Sequence, residues 1–197
     1  MPRRYRPTLS AVFAVALGTV LVGCAGGGSP IPDGYQRVEH PDLHLAVPQE
    51  WEPAEAERRS VDEDATAYRV PDADGLPIGL EVFRAAREGG SGYARADFAV
   101  DAVLSDLYTA ESFEPLGVDH DVTVAGSDDA FLQQLRIAAP NLGPDATVRF
   151  TAVGVSLGAD DDAGDGDVVV VLITGPEDRI DDATIERIVD SLEVVGA

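Results

Sequence analysis

Apolar and polar residues alternate along several short segments of the chain, which is the pattern of half-buried β-strands. The clearest segment is Leu43, His44, Leu45, Ala46 and Val47, in which every second residue is a large aliphatic one. The same period, in weaker form, predicts further strands at residues 35–38, 67–70, 78–83, 118–124, 130–138 and 147–157.

Other stretches have a different character. Residues 168–174 are a continuous run dominated by β-branched side chains, which is typical of a strand buried on both faces. Residues 71–77 and 140–144 are rich in Pro, Gly, Asp and Asn, so they predict turns. Residues 52–66 are acidic and have no clear period, and we expect them to be irregular.

Two segments change to the period of an amphipathic helix. The first covers residues 94–109, and its apolar stripe is Val100, Val103, Leu104, Leu107 and Tyr108. The second follows Asp182, which is a candidate N-cap. Its apolar stripe is Ile185, Ile188, Val189 and Leu192.

The order of these elements indicates the fold class. Several strands come first, followed by a helix, more strands and a final helix, with no internal repeat. This order predicts an α+β fold with a mainly antiparallel sheet and helices packed on it. Residues 35–197 have the length of one domain with its own core.

The first 23 residues are typical of a secretory signal. Arg3, Arg4 and Arg6 precede an apolar run at residues 11–22, which is shorter than the ~20 residues that a membrane-spanning helix needs. The following Leu-Val-Gly-Cys, ending at Cys24, resembles the lipobox of bacterial lipoproteins. The resemblance implies cleavage before Cys24 and acylation of its thiol, for example by palmitate.

Residues 24–34 follow the predicted cleavage site and are rich in Gly and Pro, so they predict a flexible tether. Two or three acyl chains on Cys24 would give stable anchoring, because one chain alone binds a membrane only marginally. We therefore expect the protein on the extracytoplasmic face of the cell membrane. Cys24 is the only cysteine, so no intramolecular disulfide can form.

The net charge of the chain limits the classes of partner that it can bind. It has 36 acidic and 14 basic residues and a formal net charge of −22 at pH 7, and all the basic residues are arginines. Nucleic acid is disfavoured, because phosphate binding needs clustered cations. Anionic lipid surfaces also repel such a domain, so membrane attachment is expected through Cys24 rather than through the domain.

The pattern as a whole resembles the PsbP-like fold, in particular the LpqN/LpqT-type lipoproteins of actinobacteria. The matching positions are Pro48, Trp51, Gly126, Ile185, Ile188, Val189, Ser191 and Leu192. The resemblance implies a non-enzymatic envelope domain that acts as a binding or accessory module. It transfers no ligand residue to this chain.

One segment matches a catalytic motif literally. Gly154, Ser156 and Gly158 have the G-x-S-x-G spacing of a nucleophile elbow, which requires a strand, a sharp turn and a helix, with the acid and the histidine following the serine in the chain. Here an acidic loop at residues 160–167 follows, and all three histidines precede Ser156. We therefore predict no catalytic residues, and an envelope serine hydrolase using Ser156 stays as an alternative.

Metal binding has two weak candidates, and no cofactor is expected. Asp162, Asp165 and Asp167 lie in the acidic loop, but its spacing does not fit an EF-hand, so only a weak calcium site is conceivable. His40 and His44 flank Asp42, but two imidazoles without a convincing third ligand make a poor zinc site. The alternative expectation is that His40 and His44 are surface or half-buried residues that bind no metal.

The function expected from these features is that of a lipid-anchored binding or accessory module. An envelope lipid, a glycan or a membrane transport protein is the expected partner. A ligand is expected to enter between the sheet and a helix, or at the end of the sheet near Trp51, although Trp51 itself is expected mainly to fill the core. A purely structural or inhibitory partner protein is the remaining alternative.

Overall fold

A computed structural model of the chain describes residues 31–57, 62–71, 78–86, 92–93, 95–105, 113–120, 122–140, 145–158 and 167–196. Ten strands and two helices are defined within these ranges. The strands are β1 (Tyr35–Glu39), β2 (Leu43–Pro48), β3 (Glu52–Ala54), β4 (Thr66–Arg69), β5 (Gly79–Arg84), β6 (Phe113–Asp119), β7 (Ala130–Ala138), β8 (Thr147–Ser156), β9 (Val168–Gly175) and β10 (Glu193–Val194). The helices are α1 (Ala96–Ser105) and α2 (Asp182–Asp190).

The strands form two antiparallel sheets. The large sheet has seven strands in the order β3-β4-β5-β9-β8-β7-β6, and the small sheet has the order β1-β2-β10. The two edges of the large sheet are therefore β3 and β6. Neither helix in the described part of the chain is long and apolar enough to cross a membrane.

The large sheet is covered on both faces. On one face, the small sheet and α2 contribute to a core that includes Leu45, Val153, Val171 and Ile188. On the other face, α1 packs against a second core that includes Phe83, Val100 and Leu135. Strand β9 lies between these cores, and all of its residues are buried. This is the environment that its β-branched run predicts.

The predicted α+β class and the antiparallel sheet are confirmed. The bounds of β7 match the predicted segment, and β4 pairs with β5 as an antiparallel hairpin, although residues 72–77 of its turn lie outside the described residues. The described part of the first helix ends at Ser105, so the predicted contributions of Leu107 and Tyr108 are not described.

Three predictions about local structure were wrong. Residues 52–54, expected to be irregular, form the edge strand β3, which pairs with β4. The strand expected at 118–124 is β6, which lies mainly before that segment. The N-cap of α2 is Asp181 rather than Asp182, because the Asp181 side chain accepts a hydrogen bond from the Thr184 N–H. Strand β10, which pairs with β2, was missed because it has only two residues.

Helix α1 approaches β8 closely at Gly154. A Cβ atom added to this glycine would lie 2.7 Å from the Ala96 carbonyl oxygen and 2.9 Å from a methyl carbon of Val100. Both distances are shorter than van der Waals contact allows. Gly154 is therefore required by the packing of α1 on the sheet, and this accounts for the first glycine of the G-x-S-x-G segment.

We predict that Gly154→Ala destabilises the protein by about 1–3 kcal/mol, since an extra carbon in a filled core displaces its neighbours. Gly117→Ala is the matched control, because a Cβ there meets no atom within 4 Å. Urea unfolding of the two variants checks this prediction. A Gly154→Ala midpoint equal to that of the control would contradict the described position of α1.

Candidate functional site

A groove runs along one edge of the molecule between the β6–β7 end of the large sheet and α2. Its volume is about 630 Å³, which lies within the range of ligand-binding pockets. The lining residues are Gly117, Val118, Asp119, Val122, Thr123, Leu132, Gln134, Asp182, Ile185, Glu186, Val189 and Asp190. This is the sheet–helix position at which the sequence predicts ligand entry.

The groove exists because the large sheet is wider than the layer that covers it. Strands β7 and β6 are the last two strands on this side of the sheet. The register of β6 shifts between Pro115 and Gly117, which marks a β-bulge. Gly117 then pairs with Gln134, and open space lies where its side chain would be. The missing side chain leaves this part of the groove unfilled.

The floor of the groove is apolar and continuous with the core. Leu132 lies on β7 directly opposite Val153, so both side chains are on the covered face of the sheet. Leu132, Val122 and Val189 are half-buried and pack against the core cluster, to which Ile185 also belongs. The core therefore reaches the surface here, with aliphatic side chains in contact with solvent.

A second hollow of about 430 Å³ adjoins the groove, and the two share Gln134 and Asp182. Arg149 on β8 lies in this hollow and is only 8% exposed. Its guanidinium donates to the Ile180 carbonyl oxygen at 2.8 Å and to the Asp182 carboxylate at 2.5 Å. These bonds fix the start of α2 against the sheet, and α2 forms one wall of the groove.

A different cluster of ionisable groups surrounds His40, between β1 and β2. His40 is 2% exposed, and its Nδ1 accepts a hydrogen bond from the Asp42 N–H at 3.3 Å. This bond places the proton of a neutral ring on Nε2, which lies 3.7 Å from Asp62 Oδ2 and has no hydrogen-bond partner among the described residues. Arg84 on β5 donates two hydrogen bonds to Asp42.

The charges in the His40 cluster shift the pKa of His40 in opposite directions. Burial lowers the pKa of His40 below its usual value, although the carboxylates of Asp42 and Asp62 favour the protonated ring and Arg84 opposes it. The hydrogen bonds to Asp42 raise the pKa of Arg84 further above its usual range. Because Asp42 lies in the turn between β1 and β2 of the small sheet and Arg84 lies on β5 of the large one, this cluster links the two sheets.

Ser156 does not have the surroundings of a nucleophile. It is the last residue of β8, is 9% exposed, and lies opposite Val168 in the antiparallel ladder with β9. Its N–H donates to the Asp129 carbonyl oxygen, and its own carbonyl accepts from the Ser127 hydroxyl. Gly158 has a φ of +95°, which favours glycine at the end of the strand. Both glycines of the motif therefore have structural roles.

The structure describes only some of the predicted metal candidates. Asp162 and Asp165 lie outside the described residues, while Asp167 is 3.5 Å from Arg84. His44 has its Nδ1 3.2 Å from the Arg37 guanidinium, whereas His40 is buried, more deeply than predicted. Within the described ranges, no three His, Cys, Asp or Glu side chains are arranged to hold a metal ion.

Trp51 and Cys24 complete the predicted sites. Trp51 is 4% exposed and belongs to the core cluster that includes Tyr35 and Val47. It fills the core and is not among the residues that line the groove. Cys24 lies outside the described residues, so its acylation stays a prediction.

Sequence reasoning named Asp182, Ile185 and Val189 as helix positions but did not identify the residues that line the groove as a site. On α2 the signal was present: Asp182, Glu186 and Asp190 recur every four residues beside Ile185 and Val189. On the sheet no local signal existed, because the groove depends on which strands lie beyond the covering layer. That information comes from the strand order rather than from any single segment.

Comparison with known proteins identifies the fold. No protein-family profile matches the sequence, and no curated protein is similar to it in sequence. Solved structures do match. LpqN, described as involved in cell envelope biogenesis of Mycobacterium tuberculosis, superimposes with a TM-score of 0.51 and 12% identity, covering 81% of this chain and 90% of LpqN.

PsbP of the cyanobacterium Synechocystis sp. PCC 6803 (CyanoP) matches with a TM-score of 0.54 and 14% identity, over 88% of this chain and 98% of CyanoP. The Ran-binding protein Mog1p of Saccharomyces cerevisiae matches with a TM-score of 0.48 and 13% identity, over 82% and 95% of the two chains. The chain therefore has the PsbP-like fold shared by LpqN and CyanoP. This confirms the fold that the sequence resemblance implied.

We predict that protonation of His40 destabilises the fold. The folded-state pKa of His40 lies below the unfolded value of about 6.5. The stability that the neutral ring contributes to the fold is therefore fully present when the pH is above that unfolded value. It is lost as the pH falls towards the folded-state pKa. The free energy of unfolding of the wild-type chain should therefore decrease from pH 7.5 to pH 5.

The matched variant is His40→Asn, whose amide oxygen can still accept the Asp42 N–H bond but does not titrate. Its decrease in stability over the same pH range should be smaller, as measured by urea unfolding at several pH values. Parallel pH profiles for the two proteins would be inconsistent with a buried neutral His40.

Proposed function

We propose that this chain is a lipid-anchored, non-catalytic accessory protein of the cell envelope, and that it binds an envelope component through the groove between β6–β7 and α2. The single observation that carries this proposal is the groove itself. A chain with a solvated, strongly acidic surface nevertheless exposes a continuous apolar floor there.

The apolar floor supports binding because soluble proteins normally cover such surface. Concave sites lined by apolar side chains with a few polar groups at the rim are where ligands and partners most often bind. Here the rim is supplied by Asp119, Thr123 and Gln134 on the sheet side and by carboxylates on α2. Leu132 and Val189 supply apolar contact area below it.

Attachment to the membrane is supported by the signal segment and by the position of Cys24. The tether at residues 24–34 would hold the domain away from the lipid surface. The fold shared with LpqN, a protein described as involved in cell envelope biogenesis, is consistent with an envelope location. A hydrolase using Ser156 is not favoured, because Ser156 pairs with Val168 in the β8–β9 ladder and its backbone N–H donates to the Asp129 carbonyl oxygen.

We predict that Cys24 is acylated and that Cys24→Ala releases the protein from the membrane fraction of its native cells. Mass analysis of the wild-type protein should find an N-terminus at residue 24 carrying acyl chains. Its thiol should also fail to react with a maleimide, whereas a Ser29→Cys variant should react through the added tether thiol. An unmodified thiol at residue 24, or an uncleaved leader, would refute the anchor.

We predict that the groove is the contact surface. A photo-cross-linking residue at Thr123, which is exposed and lines the groove, should capture one defined envelope component in cells. The same residue at Phe98, which is 51% exposed on α1, is the matched control. Mass spectrometry identifies the product from each position.

Filling the groove provides a second arm of the same experiment. Gly117→Phe adds a side chain to open space, at a residue whose backbone is not in the left-handed region, so the fold should tolerate it. The variant should unfold at the wild-type urea concentration but lose the Thr123 cross-link. If Thr123 captures no more than Phe98 does, or if Gly117→Phe leaves the cross-link intact, the groove is not the binding site.

A further inference from the structure

Helix α2 presents two parallel rows of side chains to the groove. Ile185 and Val189, four residues apart, form an apolar row next to the floor. Asp182, Glu186 and Asp190, also spaced by four, form an acidic row at the rim. Residues spaced in this way lie one above the other on a helix, so each row runs along the length of α2.

The acidic row is unfavourable for the isolated helix. Like charges four residues apart repel, and Asp190 lies at the C-terminal end, where the helix dipole disfavours a negative charge. Asp182 pairs with Arg149, but within the described residues no ion pair joins Glu186 or Asp190. The fold therefore carries two uncompensated carboxylates on this rim.

The opposite wall has the same sign of charge. Asp119 on β6 pairs directly with Leu132, so its side chain lies on the face of the sheet that borders the groove. The groove lining therefore includes four carboxylates and no arginine. Electrostatic complementarity selects a partner that brings positive charges to the rim on α2.

A single metal ion does not fit this arrangement. Carboxylates four residues apart on a helix are separated by about 6 Å along its axis, given the rise of 1.5 Å per residue. No group of three ligating side chains within the described ranges is placed around one point. The positive charges must instead be distributed along the occupant, at about the spacing of the acidic row.

We infer that the groove binds an amphipathic helix of a partner protein whose apolar stripe is flanked by Lys or Arg residues spaced by four. Its apolar stripe contacts Leu132, Ile185 and Val189, and its cations face Glu186 and Asp190. Helix-in-groove recognition of this kind uses anchors at i, i+3, i+4 and i+7. This inference rests on the proposed function of the groove and adds the chemical class of the partner.

The test uses the full chain in nanodiscs of neutral phosphatidylcholine, with empty nanodiscs as the blank. The probe is a synthetic amphipathic helix of Leu and Lys, and the comparison peptide carries Glu in place of every Lys. We expect the Lys peptide to bind at least about tenfold more tightly than the Glu peptide, a difference of about 1.4 kcal/mol. Added salt should weaken its binding.

Two double variants distinguish binding of the Lys peptide in the groove from its general attraction to an acidic protein. Glu186→Lys/Asp190→Lys alters the rim, while Asp101→Lys/Asp128→Lys makes the same change in net charge at exposed positions outside the groove lining. We expect the rim variant to weaken binding of the Lys peptide by about tenfold or more and the control by less than about twofold. Gly117→Phe should also weaken it.

Equal losses in the two double variants would overturn the inference, because the attraction would then be unspecific. If the Glu peptide binds better and Gly117→Phe blocks it, the inference fails while the proposed function stands. If Gly117→Phe affects neither peptide, the inference fails, and the Thr123 and Phe98 cross-links then decide separately whether the groove binds anything.

Discussion

The structure depends on one geometric constraint: a seven-stranded sheet that must be covered on both faces by layers narrower than itself. Strand β9 is buried along its whole length because the small sheet and α2 lie on one side and α1 lies on the other. The outer strands β6 and β7 extend beyond α2, and Gly117 supplies no side chain to fill the space. The groove is the consequence of this mismatch, and its apolar floor is the exposed margin of the core.

The charges of the chain are organised around the same constraint. Arg84 joins the large sheet to Asp42 in the β1–β2 turn of the small one, and Arg149 joins it to the start of α2. An exposed pair contributes little to stability, but Arg149 is buried, and hydrogen bonds to a charged group contribute about 1.5–3 kcal/mol. These two arginines thus hold covering elements in place, while no ion pair joins Glu186 or Asp190 on the groove rim within the described residues.

Sequence patterns correctly predicted the strands and the helix whose formation depends on local periodicity. The alternation at 130–138, the β-branched run before Gly175 and the stripe of α2 correspond to observed elements, because each buries a face that its own residues define. The patterns missed β3 and β10, whose three and two residues are too short to show a period and are held by pairing with β4 and β2. The groove could be predicted only as a position between sheet and helix. Its lining depends on strand order, and Gly117 looks like any other turn-forming glycine until that order is known.

We propose that the free edge strand β6 of the large sheet and helix α2 form the face that a partner covers. Amide hydrogen exchange followed by mass spectrometry compares the purified protein with the protein isolated in its native envelope complex. We expect slower exchange in the complex at residues 117–134 and 182–190, with α1 unchanged. Protection confined to α1 or to the β1–β2 hairpin, with no change at the groove, would contradict it.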